Sequence, residues 1–223
     1  MAQQGTPPGR LIAVDGSRGN DIIKAAEAVA DALRARGVLC AISRWDASGL
    51  FGEMAQAAQQ DRQISARTLA LVYAADLAFR VRWEIRPALE AGRVVIAAPY
   101  VETAVAMSGA CDLPKRWLRD LLRFVPAPRV RCRARERKVK RGWKLRLDRG
   151  YTEYCATLLE AASAKAFDSK RTRVAMVAAL AGRPGRDVFD LSGDGVAAAV
   201  KAIIGSQPVS SVRSASRRRT AHS

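Results

Sequence analysis

The stretch LIAVDGSRGNDIIKAA, residues 11 to 26, passes from an apolar run through two glycines into a helix-like pattern. That is the layout of a phosphate-cradling loop, in which glycines let backbone N–H groups turn towards an anion at a helix N-terminus. In the working motif, G-x-x-x-x-G-K-[ST], the lysine neutralises the outer phosphates and the hydroxyl holds magnesium. Counted from Gly16, the second glycine falls on Asp21, the lysine on Ile22 and the hydroxyl on Ile23. An acid and two branched hydrocarbons stand where a small residue, a cation and a metal ligand belong. Lys24 lies two positions further along, turned by about 200° at ~100° per residue, so it points away from the loop. Arg18 is the better cation for catching an anion, with Asp15, Gly16 and Gly19 as the remaining parts of a degenerate phosphate loop.

The second pattern with chemical content is cationic. Residues 129 to 149 carry eleven Arg/Lys against Glu136 and Asp148, a net +9, and the tail from Ser206 adds Arg213, Arg217, Arg218 and Arg219. These two zones hold 13 of the net +17 charges, leaving an ordinary body with two basic attachments. PAPRVRCRARER alternates arginine with Val, Cys and Ala, the period-2 pattern of a strand with one basic face. Arg129, Arg131, Arg133, Arg135, Arg137, Lys138, Lys140, Arg141 and Lys144, with Arg217, Arg218 and Arg219, form a candidate polyanion-binding set. Such a run is commonly a solvated face, but cations this dense repel one another unless an anion is near, and Trp143 and Tyr151 are interleaved as stacking surfaces. Each neutralised phosphate would add salt-dependent affinity regardless of sequence. The expected partner is nucleic acid or another polyanion, an acidic protein included. Trp45, Trp83 and Trp117 read instead as core or half-buried residues.

Other chemistries find little support. The one histidine, His222, is next to last, which argues against histidine-based catalysis and histidine-ligated zinc. Asp15 and Asp46 are too scattered to make a metal site. Cys40, Cys111, Cys132 and Cys155 stand singly, as reduced thiols do. No run of 18 uncharged apolar residues exists, and MAQQGTPPGR lacks the basic-then-apolar order of a signal peptide, so the expectation is a cytoplasmic protein without membrane contact.

The elements that must position these residues alternate. Residues 10 to 15 and 93 to 98 read as buried strands, 38 to 43 as another, and 21 to 36 as a helix with Ile22, Ala26, Val29 and Leu33 on one face, ended by Gly37. A long helical stretch covers 66 to 90, with Pro87 bending or breaking it late and Gly92 stopping it. Residues 114 to 125 and 148 to 166 read as helices, 187 to 191 as a strand, and GDGVAAAVKAII as a closing helix, while 174 to 182 stays ambiguous. Continuous apolar strands alternating with helices predict an α/β three-layer sandwich with a mostly parallel sheet covered on both faces. The predicted organisation is a flexible N-terminus at 1–9, one domain at 10–205, and a disordered basic tail at 206–223.

The chain resembles the thymidylate kinase family. RTLALVYAADLAFRVRWEIRPALEAGRVVIAAPYVETAVAMSG (67 to 109) is similar to the family's LLLFAADRAxHVxxxIRPALxxGxxVIxDRYxxSxxAYQG. SRWDASGLFGE (43 to 53) resembles TREPGGTPLGE, and VDGSRGNDIIKAAEAVADAL resembles VEGxDGxGKTTxxxxLAxxL. Length, order and spacing agree from about residue 10 to 125, roughly half the chain. The resemblance implies a P-loop nucleoside-monophosphate-kinase-like fold. It implies that Asp15 is the acid before the first loop glycine, that Arg44 is the arginine approaching the acceptor monophosphate, and that Tyr100 is the aromatic of the Asp-Arg-Tyr signature. Arg44 and Tyr100 would thus line a former acceptor pocket that could still hold a nucleoside monophosphate.

The departures from the family are consistent in kind. The signature's Asp and Arg are Ala98 and Pro99, and the base-reading arginine of A-A-D-R-A is Leu77. Only about 15 residues separate the basic strand from the Tyr151 helix, too few for the family's arginine-bearing lid. Phosphoryl transfer rests on positioning and charge neutralisation, with a single arginine worth about 10³ to 10⁵ in rate. The expectation is therefore a pseudokinase that needs no cofactor and works by binding. The alternative is a divergent dTMP kinase that uses ATP and magnesium to make dTDP. A homodimer through residues 66 to 90 is implied by the resemblance alone.

Overall fold

The computed structural model describes residues 9–16, 19–45, 47–50, 66–110, 113–134 and 188–205. Strands β1 (Arg10–Asp15) and β3 (Val94–Ala98) are the two continuous apolar runs, and both are buried along nearly their whole length. With β2 (Cys40–Arg44), β4 (Val130–Arg133) and β5 (Val188–Asp190) they form a five-stranded sheet in the order β2-β3-β1-β4-β5. All four pairings are parallel. A parallel strand needs apolar side chains on both faces because helices cover both.

Alternate residues of β1 supply the two layers. Ile12 and Val14 meet helix α1 (Gly19–Arg34), which turns Ile22, Ala26, Val29, Ala30 and Leu33 to the sheet. Leu11 and Ala13 meet the opposite layer, built from α2 (Ala66–Arg80), a π-helical turn (Val81–Ile85), α3 (Arg86–Glu90), α4 (Val101–Ala110) and α5 (Lys115–Leu121). The last described helix, α6 (Gly195–Gly205), returns to the first layer with Ala199, Val200 and Ile203. Each fully buried aliphatic side chain contributes about 1.5–3 kcal/mol relative to exposure. The result is the three-layer sandwich expected from the sequence.

The boundaries differ where backbone bonding overrules apolarity. Strand β2 starts at Cys40, not at 38, because Val38 donates its N–H back to the Leu33 carbonyl at the helix end and Leu39 is largely exposed. Pro87 neither breaks nor ends the rod. A proline ring presses on the carbonyl four residues back, and the wider π turn directly before it relieves that contact, so helix continues to Glu90. Gly92, at φ 72°, then stops it. The helix expected over 114 to 125 is shorter, and α4 has no counterpart among the predicted elements. Trp83 is a further correction: it lies on the outward side of the π turn, 64% exposed, whereas Trp45 and Trp117 are half-buried. The elements expected over 148 to 166 and 174 to 182, the tail at 206–223 and residues 1–8 of the N-terminal segment lie outside the described residues, while Gly9 is held to Leu89.

Candidate functional site: the carboxyl ends of strands β1 and β3

From β1 the chain crosses by α1 to β2 on one side; from β3 it crosses by α4 and α5 to β4 on the other. The strand order therefore reverses beside β1. In open α/β sheets the ligand crevice lies at such a switch point, outside the carboxyl ends of the strands. Here those ends are Asp15 and Gly16, Ala98 to Tyr100, and Ser43 and Arg44.

Helix α1 begins at Gly19, so Asp21, which occupies the motif's second-glycine position, already lies in the first helical turn. Ile22, at the lysine position, is completely buried and joins the core cluster of Ile12, Val14 and Ile96. It is packed directly over the first loop glycine: a Cβ on Gly16 would come within 2.9 Å of Ile22 Cγ1 and 3.1 Å of Ala134 Cβ. The space above Gly16 is thus filled by hydrocarbon. The Gly16 N–H, a donor that a phosphate loop turns outward, goes to Thr103 Oγ1 at 3.2 Å.

Asp15 turns to α4. Its Oδ1 accepts from the Tyr100 N–H at 2.8 Å, the Thr103 N–H at 3.0 Å and the Thr103 hydroxyl at 2.7 Å. The carboxylate from β1 thereby serves as an N-terminal cap for a helix distant in sequence. Burial pushes its pKa up, the hydrogen bonds from Thr103 and Tyr100 opposing that rise and Glu102 adding to it. The Cys132 thiol on β4 is pushed up to about 12, by burial first and then by Asp15.

Arg80 closes the third side. It is fully buried, and its Nε donates to Ser43 Oγ at 2.9 Å, Nη1 to the Pro99 carbonyl at 2.9 Å and Nη2 to the Ser43 carbonyl at 2.7 Å. Asp76, one turn earlier and equally buried, places Oδ2 4.0 Å from Arg80 Nη1. Its Oδ1 accepts from the Ser48 N–H at 3.0 Å and hydroxyl at 2.9 Å. The Ser43 hydroxyl donates to Glu84 Oε2 at 2.6 Å. This knot joins α2, the π turn and the ends of β2 and β3. Sequence reasoning passed over it; its signal is a charge on the buried helical face of Tyr73 and Leu77, with an acid four residues before.

Of the residues singled out from the sequence, Asp15 and Gly16 end β1 and Gly19 opens α1, but the Asp15 carboxyl serves α4 instead, and Arg18 lies outside the described residues. Arg44 and Tyr100 part company. Arg44 reaches Glu27 of α1 at 2.8 Å on an exposed surface. Tyr100 is buried in the opposite layer, its hydroxyl donating to the Pro126 carbonyl at 2.7 Å and its carbonyl accepting from Tyr73 at 2.6 Å. Burial raises the Tyr100 pKa. Of the cationic set, Arg129, Arg131 and Arg133 lie on or beside β4, with Val130 and Cys132 turned into the core between them. Arg135, Arg137, Lys138, Lys140, Arg141, Lys144, Arg217, Arg218 and Arg219 lie outside the described residues, as do Trp143 and Tyr151.

A parallel sheet wrapped by helices, with a strand–glycine–helix turn at its switch point, defines an α/β protein of P-loop-kinase-like fold. The chain is thymidylate-kinase-like: it is 36% identical over 109 residues to the thymidylate kinase of Rhizorhabdus wittichii, covering 47% of this chain and 52% of that protein. It is 32% identical over 124 residues to the thymidylate kinase of Xanthomonas oryzae pv. oryzae, covering 56% and 55%. Against the probable thymidylate kinase of Thermococcus gammatolerans it is 44% identical over 66 residues, covering 30% and 32%. The chain thus spans about half, or less, of the length of the curated relatives it matches. No family model matches it. Among the described residues no helix is long and apolar enough to cross a membrane.

Proposed function

We propose that the chain is a thymidylate-kinase-like pseudoenzyme that has lost ATP-dependent phosphoryl transfer and acts in the cytoplasm by binding a polyanion, nucleic acid or an acidic partner. The observation that carries the first half is the seat of Ile22. The ammonium of a working loop is replaced by a side chain with 0% exposure, packed over Gly16. Among the described residues the cradle is part of the core and supplies neither the motif's cation nor its metal ligand, which supports the loss of triphosphate and magnesium binding. Several described polar groups at the switch point hold one another: Gly16 to Thr103, Thr103 to Asp15, Arg80 to Ser43 and Pro99. The second half draws on the net +17 charge and on Arg129 and Arg131, which stay exposed.

A second reading, a divergent dTMP kinase, is favoured by the relatives, whose names give that activity to those proteins. It would use ATP and magnesium, with Arg18 and Arg44 on the phosphates. Thermal shift with ATP and magnesium, followed by a coupled assay with dTMP, separates the two. The pseudoenzyme gives no shift and no turnover; turnover abolished by Arg44→Ala establishes the kinase instead. The homodimer implied by the resemblance would use the rod from α2 to α3, where Leu71, Phe79 and Trp83 are exposed.

A further inference from the structure

We propose that the face carrying helix α5 and the odd-numbered arginines of β4 binds single-stranded nucleic acid without regard to sequence. Arg116, Arg119, Arg123, Arg129 and Arg131 would hold phosphates, and Phe124 would stack on a base. The inference rests on the polyanion reading above and narrows it to one class of anion.

The β4 register decides which way the arginines face. Val130 and Cys132 belong to the core on the α1 side, so Arg129, Arg131 and Arg133 turn to the layer of α4 and α5. Arg131 is aligned with Ala13, which packs in that layer, and its Nη1 lies 3.9 Å from Glu102 Oε1 on α4 with half its side chain still exposed. Alternate strand residues recur every ~6.6 Å, the scale of the phosphate repeat in an extended nucleic-acid strand.

Helix α5 adds cations that the strand pattern does not reveal. Leu118 and Leu122 are buried, while Arg116 and Arg119, three residues apart on α5 and so on one side of it, and Arg123 in the turn that follows are all exposed. The acids nearby among the described residues include Asp120 on α5, Glu102 on α4, and Asp15 on β1 and Asp190 on β5, both aligned with Arg133. Phe124, directly after Arg123, is 36% exposed. An acidic polypeptide could use the cations, but only a nucleic acid brings both a regular phosphate row and flat bases for such a ring.

The test is fluorescence anisotropy of the full chain with a fluorescein-labelled oligothymidylate across a salt series, with heparin and polyglutamate alongside. The triple variant Arg116→Gln, Arg119→Gln, Arg123→Gln is expected to flatten the slope of log affinity against log salt by about 2, since each phosphate contact on a single strand contributes ~0.7. Phe124→Ala is expected to weaken oligothymidylate binding about tenfold and to leave heparin retention unchanged. Circular dichroism checks that both variants fold. Oligothymidylate binding indifferent to both variants overturns the proposal while heparin retention keeps the polyanion reading. Polyglutamate bound as tightly as oligothymidylate, with no effect at Phe124, overturns it in favour of an acidic protein. Failure of the unaltered chain to bind heparin removes the parent reading instead.

Discussion

Arg80 and Arg131 are the same residue in opposite circumstances. Arg80 is sealed at the end of α2 with three hydrogen bonds to Ser43 and Pro99 and an acid one turn away. Arg131 stands half in water on β4 with one long ion pair to Glu102. A buried guanidinium must be paired at every turn or it costs several kcal/mol; an exposed one is hydrated and open to exchange its partner. The difference separates the two regions of the molecule. At the switch point the described polar groups bond one another, whereas on β4 and α5 the arginines Arg131, Arg116 and Arg119 stay exposed.

The contrast can be broken most sharply at Ile22. Replacing it by lysine restores the motif's cation in a place with no water, where a lysine pKa falls by 3–5 units and each unit is ~1.4 kcal/mol. Ile22→Lys is therefore expected to lose about 4–7 kcal/mol in urea unfolding and to gain no stabilisation from ATP. A well-folded variant whose melting temperature rose with ATP would mean that the cradle opens. Next in size is Arg80→Met, expected to cost about 3–5 kcal/mol because it strands the Asp76 carboxylate and two backbone carbonyls in the interior.

A smaller effect appears with pH. The Asp15 carboxyl is raised above its ordinary 3.8, so the folded state holds a proton that the unfolded chain has already released. Its contribution to stability is full below that ordinary value and is lost as pH rises through the folded-state pKa. Asp15→Asn keeps an acceptor for Tyr100 and Thr103 but cannot ionise. The urea midpoint of the variant should gain on that of the unaltered protein as pH climbs from 3.8, and a constant difference would show that Asp15 is not titrating in the folded protein. The smallest effect belongs to Arg131→Gln, which should change stability by no more than about 0.5 kcal/mol.

What the sequence disclosed follows the same division. The runs of β1 and β3, the face of α1 and the failed lysine at Ile22 were all readable, because burial on both faces leaves a continuous apolar string and burial on one leaves a helical period. Helix α4 was not, since VETAVAMSGA is apolar nearly all round and offers no period. Arg80 escaped for another reason: charge by type suggests the surface, and only the company of Ser43 and Pro99, distant in the chain, keeps it inside. The exposed arginines of α5 and of the turn after it were hidden behind the denser run that follows them. Trp83 was misjudged because its orientation depends on the π turn, which no pattern of residue types announces.

That turn sets the phase between two tasks of one helical rod. Upstream it must aim Arg80 at the strand ends; downstream the carbonyls of Ala88 and Leu89 must receive the N–H groups of Arg93 and Gly9, which launch β3 and β1. Removing a single residue between them would swing the lower segment by about 100°. Val81–Ile85 works as a vernier, letting the rod be correct at both ends.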